Sequence, residues 1–554
     1  MTGAVVLVSM PFADGPSLQL GLLKPAVAAA GFPVRTLHAG LDLAARIGMP
    51  AYRQLAAHRG RMFGDWLFSV QAFGSAAPDP DGLMVSRFAA DAPDLDLMKI
   101  RDAVVPEYLD ALAADPVFDD ATVVGFTSTF QQNVASFALA RRLKARFPSL
   151  VTVFGGANFD PPMGAEYLRA MDCVDHVVSG PGEVALPELL GGTASGSAFP
   201  PDYDEYFERA ERLGLLDREK VRLPFESSRG CWWGAKHHCT FCGLNGTTMA
   251  YRSKPPEQVL AELAGLARRY RTFRFDAVDN ILDPAYLKTV MPALTESGYD
   301  LFYEVKANLG RAQLRLLAQA GVRRLQPGLE SLSTRVLGLM RKGVRASQNV
   351  NLLRWARYYD IDVAWNLLWG FPGETAEDYR AQTELLPHLV HLQPPGSADR
   401  IWLERFSPLF TSTVSPSPEP SYRYVYPPSV DLSKAAYFFD WPDDLPPYEE
   451  LRLGVVAWQD RWRTRPSLTY RWIPGLLQIR DRRGHDGTYT FPDPVAGIHE
   501  ACAERPRTAV AVARELALPE ETVRATFAAL ADRGLMFLDG DRALALALPA
   551  VAGR

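Results

Sequence analysis

The chain has 554 residues, enough for about three or four domains of ordinary size. Its 47% hydrophobic and 22% charged residues are those of a globular protein, which excludes disordered and fibrous classes. A formal charge of -5 gives neither the basic footprint of a nucleic-acid binder nor a polybasic handle for a membrane, so neither partner is expected. The run from Met1 to Val8 lacks a basic n-region and a signal-length apolar stretch. No segment approaches the roughly eighteen apolar residues that span a bilayer, so a cytoplasmic location is expected.

In chain order, the apolar strand Val5 to Val8 is followed by a helical stretch from Leu18 to Ala30 and a second strand from Val34 to His38. Residues from about 41 to 118 read as a helical insertion carrying Trp66, Phe68 and Phe73. The strand pattern resumes at Val123 to Phe126, and a helix runs from Ala135 to Phe147. Strands at Val151 to Phe154 and Val174 to Val178 each stop at glycines. Strands ending in glycine-rich loops describe a flavodoxin-like (Rossmann-like) parallel sheet over residues 1–190, with its ligand at the carboxyl strand ends. Such a sheet takes a nucleotide, a flavin, cobalamin or nothing.

Residues 191–220 read as a linker, opening with Gly, Ser, Ala and Pro. A second α/β series over 221–412 has candidate strands at Arg222 to Ser227, Phe273 to Ala277, Leu301 to Lys306, Arg323 to Pro327, Ile361 to Leu368 and Arg400 to Glu404. Six βα units predict a partial (β/α)6 TIM barrel with its functional loops at the carboxyl strand ends. Ser415 to Pro420 is a second linker, opening an α+β C-terminal domain over 413–554. Its tail has helical patterning from Arg507 to Leu516 and beyond Pro519, then two short strands joined at Asp539-Gly540, as in a winged helix.

Five cysteines are too few for a disulfide framework, and three of them, Cys231, Cys239 and Cys242, share one twelve-residue stretch directly after the first barrel strand. Three thiolates can hold three irons of a 4Fe-4S cluster and leave the fourth open to a chelating molecule. The competing reading is zinc, with His237 or His238 as fourth ligand. Cys173 and Cys502 sit in apolar surroundings and read as buried structural thiols.

The run from Cys231-Trp232-Trp233-Gly234 through His238-Cys239-Thr240-Phe241-Cys242 to Gly246 resembles the radical S-adenosylmethionine (SAM) signature in its widely spaced form. That form marks the RiPP (ribosomal peptide) maturation radical SAM C-methyltransferases, a group within the cobalamin-dependent radical SAM superfamily. The resemblance continues in Val278-Asp279-Asn280, Tyr303 to Asn308, Gln326 to Ser331, Lys342-Gly343, Trp365-Asn366, Gly370 to Glu374, His391 to Pro395 and Glu404 to Pro408. The spacing Cys-x7-Cys-x2-Cys departs from the commoner Cys-x3-Cys-x2-Cys.

The resemblance implies SAM on the open iron. Asp279 and Asn280 would meet its amine, and Glu304, Lys306, Glu330 and Ser331 its carboxylate and ribose. Asn366, Gly370 and Pro372 would lie at the adenine, with Phe241 packed on it. It also implies cobalamin cradled by Pro16, Ser17 and Leu18, by Ser128, Thr129, Phe130, Gln131 and Gln132, by Gly155, Gly156 and Asn158, and by Gly180, Gly182 and Glu183. Thr129 to Gln132 would face the lower side of the corrin. No Asp-x-His occurs, so histidine ligation by the Asp-x-His-x-x-Gly motif is not expected. Trp365, Glu404 and Arg405 are implied substrate contacts.

The implied activity is methylation of an unactivated carbon of a ribosomal precursor peptide. A deoxyadenosyl radical removes hydrogen, methylcobalamin supplies the methyl, and a flavodoxin or ferredoxin supplies electrons. The alternative keeps the cofactors but cyclises, crosslinks or epimerises the peptide. A remoter reading, a zinc-containing winged-helix regulator, lacks a source of phosphate affinity, because Glu515, Glu520, Glu521, Asp532, Asp539 and Asp541 offset the arginines of the tail. A peptide dock or structural cap suits the tail better.

Overall fold

The computed structural model describes residues 3–12, 15–58, 61–195, 199–246, 249–440, 448–484 and 486–550. Strands β1 (Ala4–Ser9), β2 (Val34–His38), β3 (Ala121–Thr127), β4 (Val151–Gly155) and β5 (His176–Val177) form a parallel sheet in the order 2-1-3-4-5. Successive side chains of a strand point to opposite faces, so an apolar run such as Val5 to Val8 must be covered on both sides. Val5 and Leu7 pack with Leu20, Val27 and Leu186 of the helices Leu18–Ala29 and Gly182–Leu189. Val6 and Val8 share a second core with Trp66, Phe68 and Phe73 of the helical insertion. The strand order reverses between β1 and β3, which opens a ligand crevice at their carboxyl ends.

Strands β6 (Leu223–Phe225), β7 (Arg274–Ala277), β8 (Asp300–Glu304), β9 (Val322–Gln326) and β10 (Asp362–Val363) run parallel in that order. A bridge from Glu330 to Leu367 carries the curve on to β11 (Leu367–Trp369), which pairs with β12 (Ala398–Arg400). The fold is therefore the expected α/β combination of a flavodoxin-like sheet, a partial six-unit barrel and a winged-helix-like tail. The fifth predicted strand breaks at Ala364 to Asn366. The sixth ends at Arg400, because Leu403–Glu404 leaves the barrel to pair antiparallel with Phe438–Asp440.

Both predicted linkers carry ordered structure. Within 191–220, the helix Asp204–Arg212 buries Phe207 and Ala210, and Arg209 ion-pairs with Asp42 and Asp115 of the first domain at 2.6 and 2.9 Å. Its dense charge disguises one apolar stripe. The proline-rich segment after 415 is not the start of a separate domain. Ser417–Pro418 is an edge strand, where a missing N–H costs no ladder bond, and Tyr422, Val425, Tyr426 and Ala435 enter the core that holds Trp66.

In the tail, helices Val495–Ala501, Ala509–Leu516 and Glu520–Ala531 stand beside the hairpin Met536–Asp539/Arg542–Ala545. Arg507–Thr508, predicted helical, is a short strand whose Thr508 hydroxyl caps the next helix by accepting from Ala511 N–H. The winged helix shares a continuous core with the barrel. From the barrel helix Ala346–Tyr358, buried Arg354 donates to the carbonyls of Ala503, Leu546 and Ala547. No helix among the described residues is long and apolar enough to cross a membrane.

Asp539 closes this interface, accepting from Thr334 Oγ1, Ser347 N and Oγ, and Arg345. Burial pushes its carboxyl up, but these donors outweigh it and hold the pKa below the usual carboxylate value. A depressed folded pKa gives stability that is full above the ordinary carboxylate range and is lost as pH falls through the folded value. Asp539→Ala is expected to cost about 2–3 kcal/mol by stranding buried donors. It should also flatten the acid limb of stability, read by urea melts between pH 3 and 7.

Candidate functional site

The cysteine loop leaves β6 through Ser227 and Ser228. Gly230 follows at φ +85°, where a Cβ would lie 2.2 Å from the Ala250 carbonyl oxygen, so only glycine lets the two loops touch. Cys231 opens a short turn over Gly234–His237, and Gly234 N–H points at its Sγ (3.3 Å). Thr240 between the other two cysteines is tied to the Met340 carbonyl by its N–H (3.0 Å). Cys231, Cys239 and Cys242 line one cavity of about 920 Å³.

The facing wall comes from the carboxyl ends of the barrel strands and holds Asn280, Glu304, Lys306, Gln326, Glu330, Lys342 and Asn366. Glu330 sits at φ +59° and ion-pairs with Lys342 at 3.3 Å. Burial, then the nearby Glu330 charge, lifts the Glu304 carboxyl to about 7. Burial, then Lys342, lowers the Lys306 ammonium to about 8. Phe241 lies on the same cavity, edge-on to Phe371 at 5.6 Å. Glu404 also lines it, accepts from Gly243 N–H at 2.7 Å, and is pushed up to about 7 by burial.

Several expected contacts are turned away from this cavity. Asp279 is fully buried and accepts from Ser227 N–H and from the Ser227 and Ser228 hydroxyls, bracing the cysteine loop from below. Ser331 donates to Gln382. Gly370 belongs to a self-closed turn whose N–H groups are held by Glu374, and neither it nor Pro372 reaches the cavity. Trp365 is a core residue against Trp458 that donates to the Gln393 carbonyl. Arg405 is buried and donates to the carbonyls of Ser433 and Ala436. A side chain committed to the protein interior has no free donor for a ligand.

The histidines of the zinc reading are engaged as well. His237 stacks on Trp233 (ring centroids 4.2 Å apart), and His238 Nε2 is 2.9 Å from the Cys242 carbonyl oxygen. Among the described residues, no three His, Cys, Asp or Glu side chains converge as a single ion requires. Thiols spread along one wall suit separate corners of a larger cluster.

A second cavity, of about 510 Å³, opens at the carboxyl ends of β1, β3 and β4. Leu18, Gly155, Gly156, Gly180, Gly182 and Glu183 line it, with Arg229 and Tyr251 from the barrel side. A narrower space of about 120 Å³ lies between this cavity and the thiol cavity, lined by Thr129, Phe130, Gln131 and Asn158. Asn245 borders all three spaces, and Phe130 borders the thiol cavity and the narrow space. Gly156 and Gly180, at φ +97° and +81°, bring bare backbone to the rim, which fits close approach of a large ligand such as a corrin and its tail.

Other residues of the expected cradle act behind it. Ser17 caps the helix after β1 by accepting from Leu20 N–H. Gln132 bonds Thr129 and the Met10 carbonyl, and Ser128 bonds Asn133. Pro16, Ser17, Ser128 and Gln132 line none of these spaces. Gln131 is spoken for by Gly64 N–H and the His58 carbonyl, which removes a free amide from the expected lower-face group. The sequence reading missed Lys342 and Asn245, although both lie in motifs it quotes. It had no signal for Arg61, Trp402 and Phe438, which close the far wall from segments distant in sequence.

Residues 225–386 match the family described as the radical SAM superfamily. The match spans the cysteine loop and most of the barrel. An uncharacterized methyltransferase of Pyrococcus horikoshii, PH0819, is 23% identical over 363 residues, 56% of this chain and 78% of that protein. Among solved structures, the radical SAM methyltransferase TsrM from Kitasatospora setae, with cobalamin and a 4Fe-4S cluster bound, superposes with a TM-score of 0.50. It covers 74% of this chain and 77% of its own at 16% identity. The cobalamin-dependent SAM radical enzyme OxsB, with aqua-cobalamin bound, gives 0.52 over 83% of this chain and 66% of its own at 12% identity. At these identities the likeness is one of fold.

Gly156 is the tightest point of the cradle, since a Cβ there would lie 2.5 Å from the Ser128 carbonyl oxygen. Gly156→Ala is expected to force the β3 and β4 loops apart and cost about 1–3 kcal/mol. Thermal melts of the protein without added cofactor check this, and an unchanged melting temperature would count against the packed-loop account.

Proposed function

We propose that this chain is a cobalamin-dependent radical SAM C-methyltransferase acting on an unactivated carbon of a ribosomal precursor peptide. The observation that carries the reading is the joined pair of cavities: three thiols on one side, a glycine-rimmed crevice on the other, and Phe130 and Asn245 at the junction. When bound, a 4Fe-4S cluster with SAM supplies hydrogen-atom abstraction, and cobalamin supplies the methyl group. Placement is left to the protein.

Cys231, Cys239 and Cys242 would hold the cluster, and Gly234 N–H would donate to the Cys231 sulfur. Asn280, Glu304, Lys306, Glu330 and Asn366 offer carboxylates, amides and an ammonium matched to the amine, carboxylate and ribose of SAM. The glycines at 155, 156, 180 and 182 leave room for the corrin and its tail. Arg61, Trp402 and Phe438 close the cavity opposite the thiols and keep water from the reacting carbon.

A peptide substrate is supported by the tail. Gly487–Pro492 is an outer strand of a four-stranded sheet among the described residues, beside an open groove lined by Phe491, Val495, Thr522, Ala525, Ala529 and Leu530. An extended peptide could add there as a strand.

Replacing any one of the three cysteines with alanine should abolish iron binding and SAM cleavage while leaving cobalt content unchanged, read by metal analysis and anaerobic absorption spectra. Incubation with methyl-labelled SAM and the precursor peptide should give labelled peptide. A modified peptide without label would sink methyl transfer in favour of cyclisation, crosslinking or epimerisation. Ala529→Arg should weaken peptide binding about tenfold by filling the groove, measured by fluorescence anisotropy.

A further inference from the structure

One segment of the thiol-cavity wall is held in place from another domain. The turn between the helices Thr334–Leu339 and Ala346–Tyr358 carries Lys342, which lines the cavity. Four successive carbonyls bind this turn to the site: those of Leu339 and Met340 accept from the Thr240 hydroxyl and N–H (3.2 and 3.0 Å), that of Arg341 from Trp233 Nε1 (3.2 Å), and that of Lys342 from Lys306 Nζ (2.5 Å). The turn is therefore a support of the cysteine loop. Its backbone is forced, with Arg341 and Gly343 at φ +56° and +62°, and a Cβ at Gly343 would come within 2.1 Å of the Trp233 ring.

The Lys342 side chain is largely buried, 3.3 Å from Glu330 and 5.7 Å from the centre of the Phe241 ring, which lies between the second and third cysteines in sequence. Gly328, at φ +56°, makes room for it, since a Cβ there would lie 2.8 Å from Nζ. Burial disfavours the Lys342 charge, but Glu330 and the sulfurs of Cys239 and Cys242 outweigh it and raise the pKa.

Both ends of the turn meet one carboxylate of the winged-helix tail. Thr334 Oγ1 accepts from Ala346 N–H at 2.9 Å and donates to Asp539 Oδ1 at 2.6 Å. Ser347 N–H, Ser347 Oγ and Arg345 Nε donate to Asp539 Oδ2 at 3.1, 2.7 and 3.2 Å, and the Arg345 guanidinium also reaches the Asp539 carbonyl at 2.7 Å. Asn349, in the same helix as Ser347, donates to the carbonyls of Leu329 and Ser331, on either side of Glu330. A shift of this helix start would therefore move Lys342 and its partner together.

We propose that Asp539 is a positioning residue for the thiol cavity: by closing segment 334–347 from the tail, it holds the Lys342 ammonium beside Glu330 and the cysteine loop. The consequence for chemistry rests on the cofactor reading above. A cluster held by the three thiols becomes more negative on reduction, and a fixed, largely buried cation beside it favours the added electron. Asp539 itself lies outside the cavity and acts only through the turn.

The test measures the midpoint potential of the cluster, by redox titration followed by electron paramagnetic resonance, in the full-length reconstituted protein. Lys342→Met is expected to lower it by about 60 mV, a tenfold smaller ratio of reduced to oxidised cluster at a fixed potential. Asp539→Asn, which removes the charge that gathers Thr334, Arg345 and Ser347, should lower it by about 30 mV, a threefold change. The double variant should match Lys342→Met alone, because the tail acts through that lysine. Thr334→Val removes the closing hydroxyl and leaves the carboxylate its other donors; it should shift the potential the same way by less, and it decides the matter if Asp539→Asn does not fold. Melting temperatures that fall in these tail-contact variants while the potential stays at the wild-type value overturn the proposal, as does a double variant whose shift is the sum of the two singles. A wild-type protein that assembles no 4Fe-4S cluster overturns the cofactor reading, and this proposal with it.

Discussion

The site depends on a single forked side chain. Arg229, two residues before Cys231, binds Glu226 of its own loop at 2.8 Å and Glu183 of the flavodoxin-like domain at 2.6 Å. Glu183 lies in the first turn of the helix Gly182–Leu189, directly after the glycine-rich rim of the first sheet. One guanidinium therefore couples the loop that carries the thiols to the rim of the neighbouring cavity. A planar fork between two carboxylates fixes direction as well as distance, which a lysine would not do. Burial opposes the charge on both groups, yet the two carboxylates raise the Arg229 pKa and the guanidinium depresses that of Glu183, so both stay ionised. Glu183, expected at the cofactor, is the pin between domains.

A second clamp comes from the chain's return. After β12 the backbone crosses to the first domain, where Glu419 ion-pairs with Arg61 and Tyr422 and Tyr426 join the insertion core. Arg61 is also braced over Phe88, with Trp402 on its other side. The far wall of the thiol cavity thus joins Ala57, Arg61 and Asp91 of the insertion to several residues of the return segment. Such a wall cannot swing open as a simple two-domain hinge without breaking buried contacts, so substrate entry must use the existing mouth or a local loop movement.

What the sequence showed was whatever is local. The thiol spacing, the strands that end in glycine and the six βα units can each be read within a short window, because strand burial and loop chemistry leave marks within a few residues. The orientation of a side chain at a strand end leaves no such mark. Asp279, Glu304 and Glu330 look alike in sequence, each an acid at or beyond the end of a barrel strand. The backbone separates them: Asp279 points inward to two serines, while the left-handed conformation of Glu330 turns it to Lys342 and the cavity. Trp365 and Arg405 were misplaced for the same reason, since an indole or guanidinium that satisfies interior carbonyls is indistinguishable from one awaiting a substrate.

The proline-rich segment gives the converse lesson about domain boundaries. Ser415 to Pro420 has linker composition, and composition reports only that a central strand or helix is unfavourable there. An edge strand remains permitted, and Ser417–Pro418 takes it. The consequence reaches the function, because this edge strand carries Glu419 to Arg61 and so completes the wall that the barrel and the flavodoxin-like sheet leave open. Neither parallel sheet encloses the reaction space alone. The carboxyl ends of one sheet supply the thiol wall, those of the other supply the crevice, and the enclosure comes from a return segment of short strands and single-turn helices.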